Sequence, residues 1–137
     1  MDELMEVILI ILMTLFAIAS GIVEAILWSK MGTHATKWNE HIFIVFQRGV
    51  FFLTFIICAY FEHTAKNIFL IFSFAILSYP YFHDGAYYWF RNVIDNKIYP
   101  KRWKDDSTTS TAIIEIDYKK RVALLILGLI ALLLMIL

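Results

Sequence analysis

Four long apolar stretches, each bounded by polar or turn-forming residues, set the plan of this chain. The first runs Val7–Leu27, interrupted only by Thr14, Ser20 and Glu24. The second, Ile42–Phe61, carries Gln47 and Arg48. The third starts at Ile68, runs to Phe82, and continues past His83-Asp84-Gly85 to Phe90. The fourth, Val122–Leu137, has only 16 residues, but Ala112–Tyr118 can extend it as one helix with Ser110 or Thr111 as N-cap. Stretches of this length cross a hydrocarbon core of about 30 Å, and helices satisfy their own backbone in lipid. The pattern predicts an all-α, polytopic integral membrane protein with a single domain over residues 1–137. It places transmembrane helices at about 5–29, 41–62, 67–91 and 112–137, a tight connection at 62–67 and one sizeable loop at 92–111.

Ala17-Ile18-Ala19 resembles a signal-cleavage site. However, Asp2, Glu3 and Glu6 stand where a signal peptide carries Lys or Arg, and the apolar run continues well beyond the cut. The first stretch therefore reads as a retained span.

Composition agrees with that plan. Apolar residues make up 61% of the chain and charged ones 18%, against roughly 25% charged in a soluble domain. Mean hydropathy is +0.70. These values exclude a disordered tail, a nucleic-acid-binding domain and an ordinary cytosolic enzyme. Twelve basic residues balance twelve acidic ones, so no global field recruits a polyanion. Cys58 is the one cysteine, which rules out an intramolecular disulfide or a Cys-x-x-Cys metal site.

Orientation follows from the basic residues. Lys30, Lys37, Arg91, Lys97, Lys101, Arg102, Lys104, Lys119, Lys120 and Arg121 flank the first and third connections, whereas the opposite side holds only Lys66. The positive-inside rule then puts the segments 30–40 and 92–111 in the cytoplasm and both termini outside, in a multi-pass inner membrane protein. Trp28, Trp38, Trp89 and Trp103 fall at the cytoplasmic interface, and Tyr99–Lys104 reads as an anchor to anionic lipid headgroups.

The ionisable residues inside the spans carry the candidate chemistry, because each is costly there. Glu24 lies about one turn, and Arg48, His83 and Asp84 about two turns, from the cytoplasmic ends of their helices. Ser20, Glu24 and Trp28 share one face of the first helix, with Ala17 and Gly21 beside them. His41, Arg48 and Phe52 share a stripe on the second, and Pro80, Asp84, Tyr88 and Arg91 align on the third. Three polar stripes in a small bundle face one another, which predicts a cytoplasm-open cavity. In it Glu24, His41, His83 and Asp84 are candidate catalytic or proton-transfer groups. Arg48, Tyr88 and Arg91 are candidate ligand-binding groups. Glu24, His41, His83 and Asp84 also supply nitrogen and oxygen donors for a divalent transition metal such as Zn, Fe or Mn. Adjacent residues on a helix diverge by about 100°, which works against both members of His83-Asp84 binding one ion. The bland alternative makes Glu24–Arg48 and Asp84–Arg91 ion pairs that only lock helix packing.

The expected function is binding of a charged ligand (a metal, another ion or a lipid headgroup) in that cavity, with a membrane-embedded metal-dependent enzyme as one form of it. The rival is a non-enzymatic homo-oligomeric channel or holin-like pore subunit, with the polar stripes lining the pore. An accessory subunit docking a larger membrane complex is the third reading. The lipid bilayer is the expected partner in each case, and nucleic acid in none.

Overall fold

The computed structural model describes residues 2–31, 48–53, 65–95, 97, 99–106 and 116–137, and all secondary structure among them is helical. Helix α1 spans Asp2–Met31, α2 is the helical segment 48–53, α3 spans Ala65–Ile94 and α4 spans Tyr118–Ile136. A short 3-10 turn, Arg102–Lys104, interrupts the connection between α3 and α4. The 30 residues of α1 and of α3 each make a rod of about 45 Å.

Leu and Ile-rich sequence keeps α1 continuous, and Lys30 in its last turn suits the negative end of the helix dipole. Helix α3 continues through Pro80, which withdraws one backbone donor a single turn before His83. Helix α4 starts later than the sequence pattern predicts. Residues 116 and 117 are not helical, and the Asp117 side chain caps the helix by accepting from Lys120 N–H at 2.8 Å. The expected caps Ser110 and Thr111 lie outside the described residues. So do His41 and Cys58, and most of the expected second span.

Contacts along the helices fix their directions. Glu6 meets Asn67 at one end of α1 and Gly21 meets His83 further along, so α1 and α3 run parallel. Gly128 of α4 lies against Phe74 and Leu77, while Arg121 lies against Tyr88, so α4 runs antiparallel to α3. Arg48 reaches Glu24 while Phe51 stacks on Phe16 at 3.8 Å, so α2 runs antiparallel to α1. Leu9, Met13, Ile71 and Ala75 form a buried cluster between α1 and α3, flanked by Phe52 and Met135. Gly21 makes the tightest approach. A Cβ there would lie 2.1 Å from the backbone oxygen of His83, so only glycine lets α3 pass this close.

Among the described residues one helix, Leu4–Lys30 within α1, is long and apolar enough to cross a membrane, and 28% of its most apolar stretch is buried inside the fold. The rest of the four-span pattern is weaker for physical reasons. Ser78, Tyr79, Pro80, Tyr81, His83 and Asp84 dilute the second half of α3, and Lys119-Lys120-Arg121 open α4. Both helices still leave large apolar side chains exposed, among them Phe69 and Ile76 on α3 and Leu129, Ile130 and Leu133 on α4.

Candidate functional site

Three helices deliver charge to one point. Glu24 leaves α1 one turn after Ser20, Arg48 opens the described part of α2, and His83-Asp84 follow Pro80 on α3. Arg48 Nη2 donates to Glu24 Oε2 at 2.9 Å and lies 2.8 Å from His83 Nε2. His83 Nε2 in turn lies 3.0 Å from the same Glu24 oxygen. On its other side, His83 Nδ1 lies 2.8 Å from Asp84 Oδ1. The short Asp84 side chain thus spans the angular gap to its neighbour by bonding to it directly. Tyr79, one turn before His83, stacks parallel on the imidazole at 5.0 Å, and the Arg48 guanidinium lies 5.3 Å from the centre of the Tyr79 ring. His83 is buried, whereas Glu24, Arg48 and Asp84 are partly exposed.

Arg48 Nη2, Glu24 Oε2 and His83 Nε2 form a nearly equilateral triangle, and no single protonation state satisfies its three sides. With His83 neutral and its Nδ1–H donated to Asp84, Nε2 accepts from Arg48, but its lone pair then faces a carboxylate oxygen. With His83 protonated, Nε2–H donates to Glu24, but it then faces another donor on Arg48. The site has two hydrogen-bond arrangements that differ by one proton. Charge gives the same choice: two carboxylates and one guanidinium leave one negative charge, which a proton on His83 cancels.

A second polar knot lies further towards the C-terminal end of α3, where the connection folds back on the helices. Arg121 is 0% exposed. Its Nη1 donates to the Trp103 carbonyl at 3.3 Å, and its Nη2 to the Asp105 carbonyl and to Asp106 Oδ1. Its guanidinium lies 5.2 Å from the Tyr88 ring centre and 5.5 Å from that of Tyr118. Asp106 Oδ1 also accepts from Tyr118 N–H at 2.6 Å, so one carboxylate holds both Arg121 and the start of α4. Asp105 closes the turn by accepting from Lys101 N–H at 2.6 Å, and Arg102 takes a left-handed conformation (φ 55°). Trp103 then falls on Gly85, where a Cβ would lie 2.0 Å from its ring.

The structure therefore splits the predicted cavity. Glu24, Arg48, His83 and Asp84 come together. Tyr88 and Arg91 do not join them: Tyr88 packs under Arg121, and Arg91 lies 5.3 Å from the centre of the Tyr99 ring. Both share a stripe with Asp84, but they sit one and two turns further along α3, where its neighbours among the described residues are the folded connection and α4. The Asp84–Arg91 ion pair is absent among the described residues, and the Glu24–Arg48 pair is present. Nor do three His, Cys, Asp or Glu side chains converge to hold a metal among the described residues. The guanidinium of Arg48 occupies the position between Glu24 and His83 that a cation would take.

Several residues escape sequence reading. Tyr99 is buried and Trp103 is packed on α3, so the aromatic half of the expected lipid anchor is turned inward while Lys97, Lys101, Arg102 and Lys104 stay exposed. Arg121 counts as a flanking charge in the sequence and is a core residue in the fold. Glu6, expected at the outer surface, is buried and accepts from Asn67 Nδ2 at 2.6 Å. The i,i+4 spacing of Tyr79 to His83 is the one signal that could have found its ring. Comparison with protein-family profiles, with curated proteins and with solved structures finds no match.

Proposed function

We propose that this chain is a four-span inner-membrane protein whose working part is a proton-binding charge centre made of Glu24, Arg48, His83 and Asp84. In this reading both termini lie outside, the segments 30–40 and 92–111 face the cytoplasm, and the centre opens to the cytoplasmic side. Alternating helix directions and exposed apolar faces on α1, α3 and α4 support the spans, because such faces have no other solvent to meet. The observation that carries the function is the Arg48–Glu24–His83 triangle, whose 2.8–3.0 Å sides cannot all be hydrogen bonds in one protonation state. Asp84 holds the ring by Nδ1, so Nε2 is the atom that gains and loses the proton. Proton uptake transfers the Nε2 contact from Arg48 to Glu24 and frees one Arg48 donor for a ligand arriving from the cytoplasm. Channel, pore and metal-enzyme readings lack a comparable feature among the described residues.

The test is 15N-histidine NMR of the protein in bilayer nanodiscs between about pH 5 and 8, the range where imidazole ordinarily titrates. One histidine should gain and lose a proton at Nε2 while Nδ1 stays protonated. His83→Gln should remove that signal, and Asp84→Asn should change which nitrogen carries the neutral-state proton. A His83 ring that keeps one protonation state throughout rejects the reading.

A further inference from the structure

The three buried or half-buried arginines of the helices are not treated alike. Arg48 has Glu24, and Arg121 has Asp106 with two backbone carbonyls. Arg91, in the last turn of α3, is 8% exposed, and among the described residues no carboxylate pairs with it. Nε is buried without an acceptor in all three arginines, so the difference lies in the missing carboxylate, and the face of Tyr99 lies 5.3 Å from the Arg91 guanidinium. A guanidinium removed from water keeps its charge, so a buried one without a counter-ion is strongly unfavourable unless an anion completes it.

We propose that Arg91 anchors a phosphate-binding site that takes the phosphate of an anionic phospholipid. The Tyr99 ring covers one face of the guanidinium, which leaves its edge for the bidentate pairing that phosphate oxygens accept. Among the described residues, the carboxylates of the adjoining connection have other partners: Asp95 accepts from Lys97 N–H, Asp105 from Lys101 N–H, and Asp106 from Arg121. Exposed Lys97, Lys101, Arg102 and Lys104 on the adjoining connection give the approach a positive field. Ile94, exposed on the turn beyond Arg91, continues the site as apolar surface, which an acyl chain uses and a free phosphate does not. The lipid as source rests on the membrane reading above; the phosphate site rests on Arg91 alone.

Thermal unfolding in nonionic detergent tests it, with short-chain phosphatidylglycerol, short-chain phosphatidylcholine and inorganic phosphate as separate probes. Phosphatidylglycerol should raise the unfolding temperature of the wild type saturably. Arg91→Gln should weaken that response at least tenfold, and Lys66→Gln, exposed at the opposite end of α3, should change it less than twofold. Arg91→Lys keeps the charge without the fork and should fall between, and it serves as the variant if Arg91→Gln does not fold. An Arg91-dependent response to inorganic phosphate equal to that of the lipid keeps the site and makes free phosphate its source. Equal phosphatidylglycerol responses in the wild type and the Arg91 variants overturn the proposal. None of these readouts depends on His83, so this result and that of the proton-binding test are separable.

Discussion

The centre at Glu24 and the knot at Arg121 are both built around an arginine, yet they solve the burial problem in opposite ways. Arg121 is held by backbone carbonyls, by two tyrosine rings and by a carboxylate that also accepts from the first N–H of α4, and of its nitrogens only Nε is buried without an acceptor. Arg48 shares one nitrogen between a carboxylate and an imidazole, both titratable and both in contact with each other. A cation held mainly by carbonyls and rings has one arrangement. A cation held by acid and imidazole has as many arrangements as they have protonation states. The first kind of site fixes a shape, and the second kind can respond.

Breaking each region separately sharpens this contrast. Gly21→Ala should have the largest effect, because the added methyl meets the His83 carbonyl, which is backbone and cannot rotate away. Forcing α1 from α3 should cost about 3 kcal/mol or more, at the upper end of overpacking effects. Denaturation in detergent would show the loss, and the His83 signal should change with it. Arg121→Met comes next, at about 2–3 kcal/mol for the lost charged hydrogen bonds and ring contacts. It should expose residues 97–106 to protease while leaving the His83 resonance in place. A His83 change as large as that of Gly21→Ala would mean the two regions are one.

Asp117→Ala should have the smallest effect. The backbone N–H of Lys120 that the Asp117 carboxylate accepts holds its pKa below the usual carboxylate value. The cap therefore stabilises above the unfolded-state pKa and is lost as pH falls through the lower folded value. The wild type and Asp117→Ala should differ slightly in unfolding temperature at neutral pH, and the difference should vanish in strong acid. A difference that persists there would trace the effect to packing rather than to the cap.

The charge centre was legible because helical spacing is a strong signal when charges are rare. Glu24, on a face with Ser20 and small residues, had to meet a neighbouring helix, and Arg48 and His83 stood out in apolar runs. Tyr88 and Arg91 share that spacing with Asp84, but periodicity says which face a residue occupies and not which neighbour that face meets at each level. The knot was illegible for another reason. Arg121, Asp105, Asp106 and Trp103 read as flanking charges, a polar turn and an interfacial aromatic, and only the fold-back of the connection makes them a unit. The late start of α4 has the same origin, since Asp106 reaches Tyr118 N–H across twelve residues that no local pattern relates.

The enclosure of Arg121 also constrains how the polypeptide is assembled. Its hydrogen-bond acceptors lie in the stretch synthesised before it, so that stretch must be wound into its turn for the fourth helix to dock with its charge met. A helix arriving earlier would carry a bare positive charge into an apolar seam. Winding of the turn and docking of α4 should therefore be coupled.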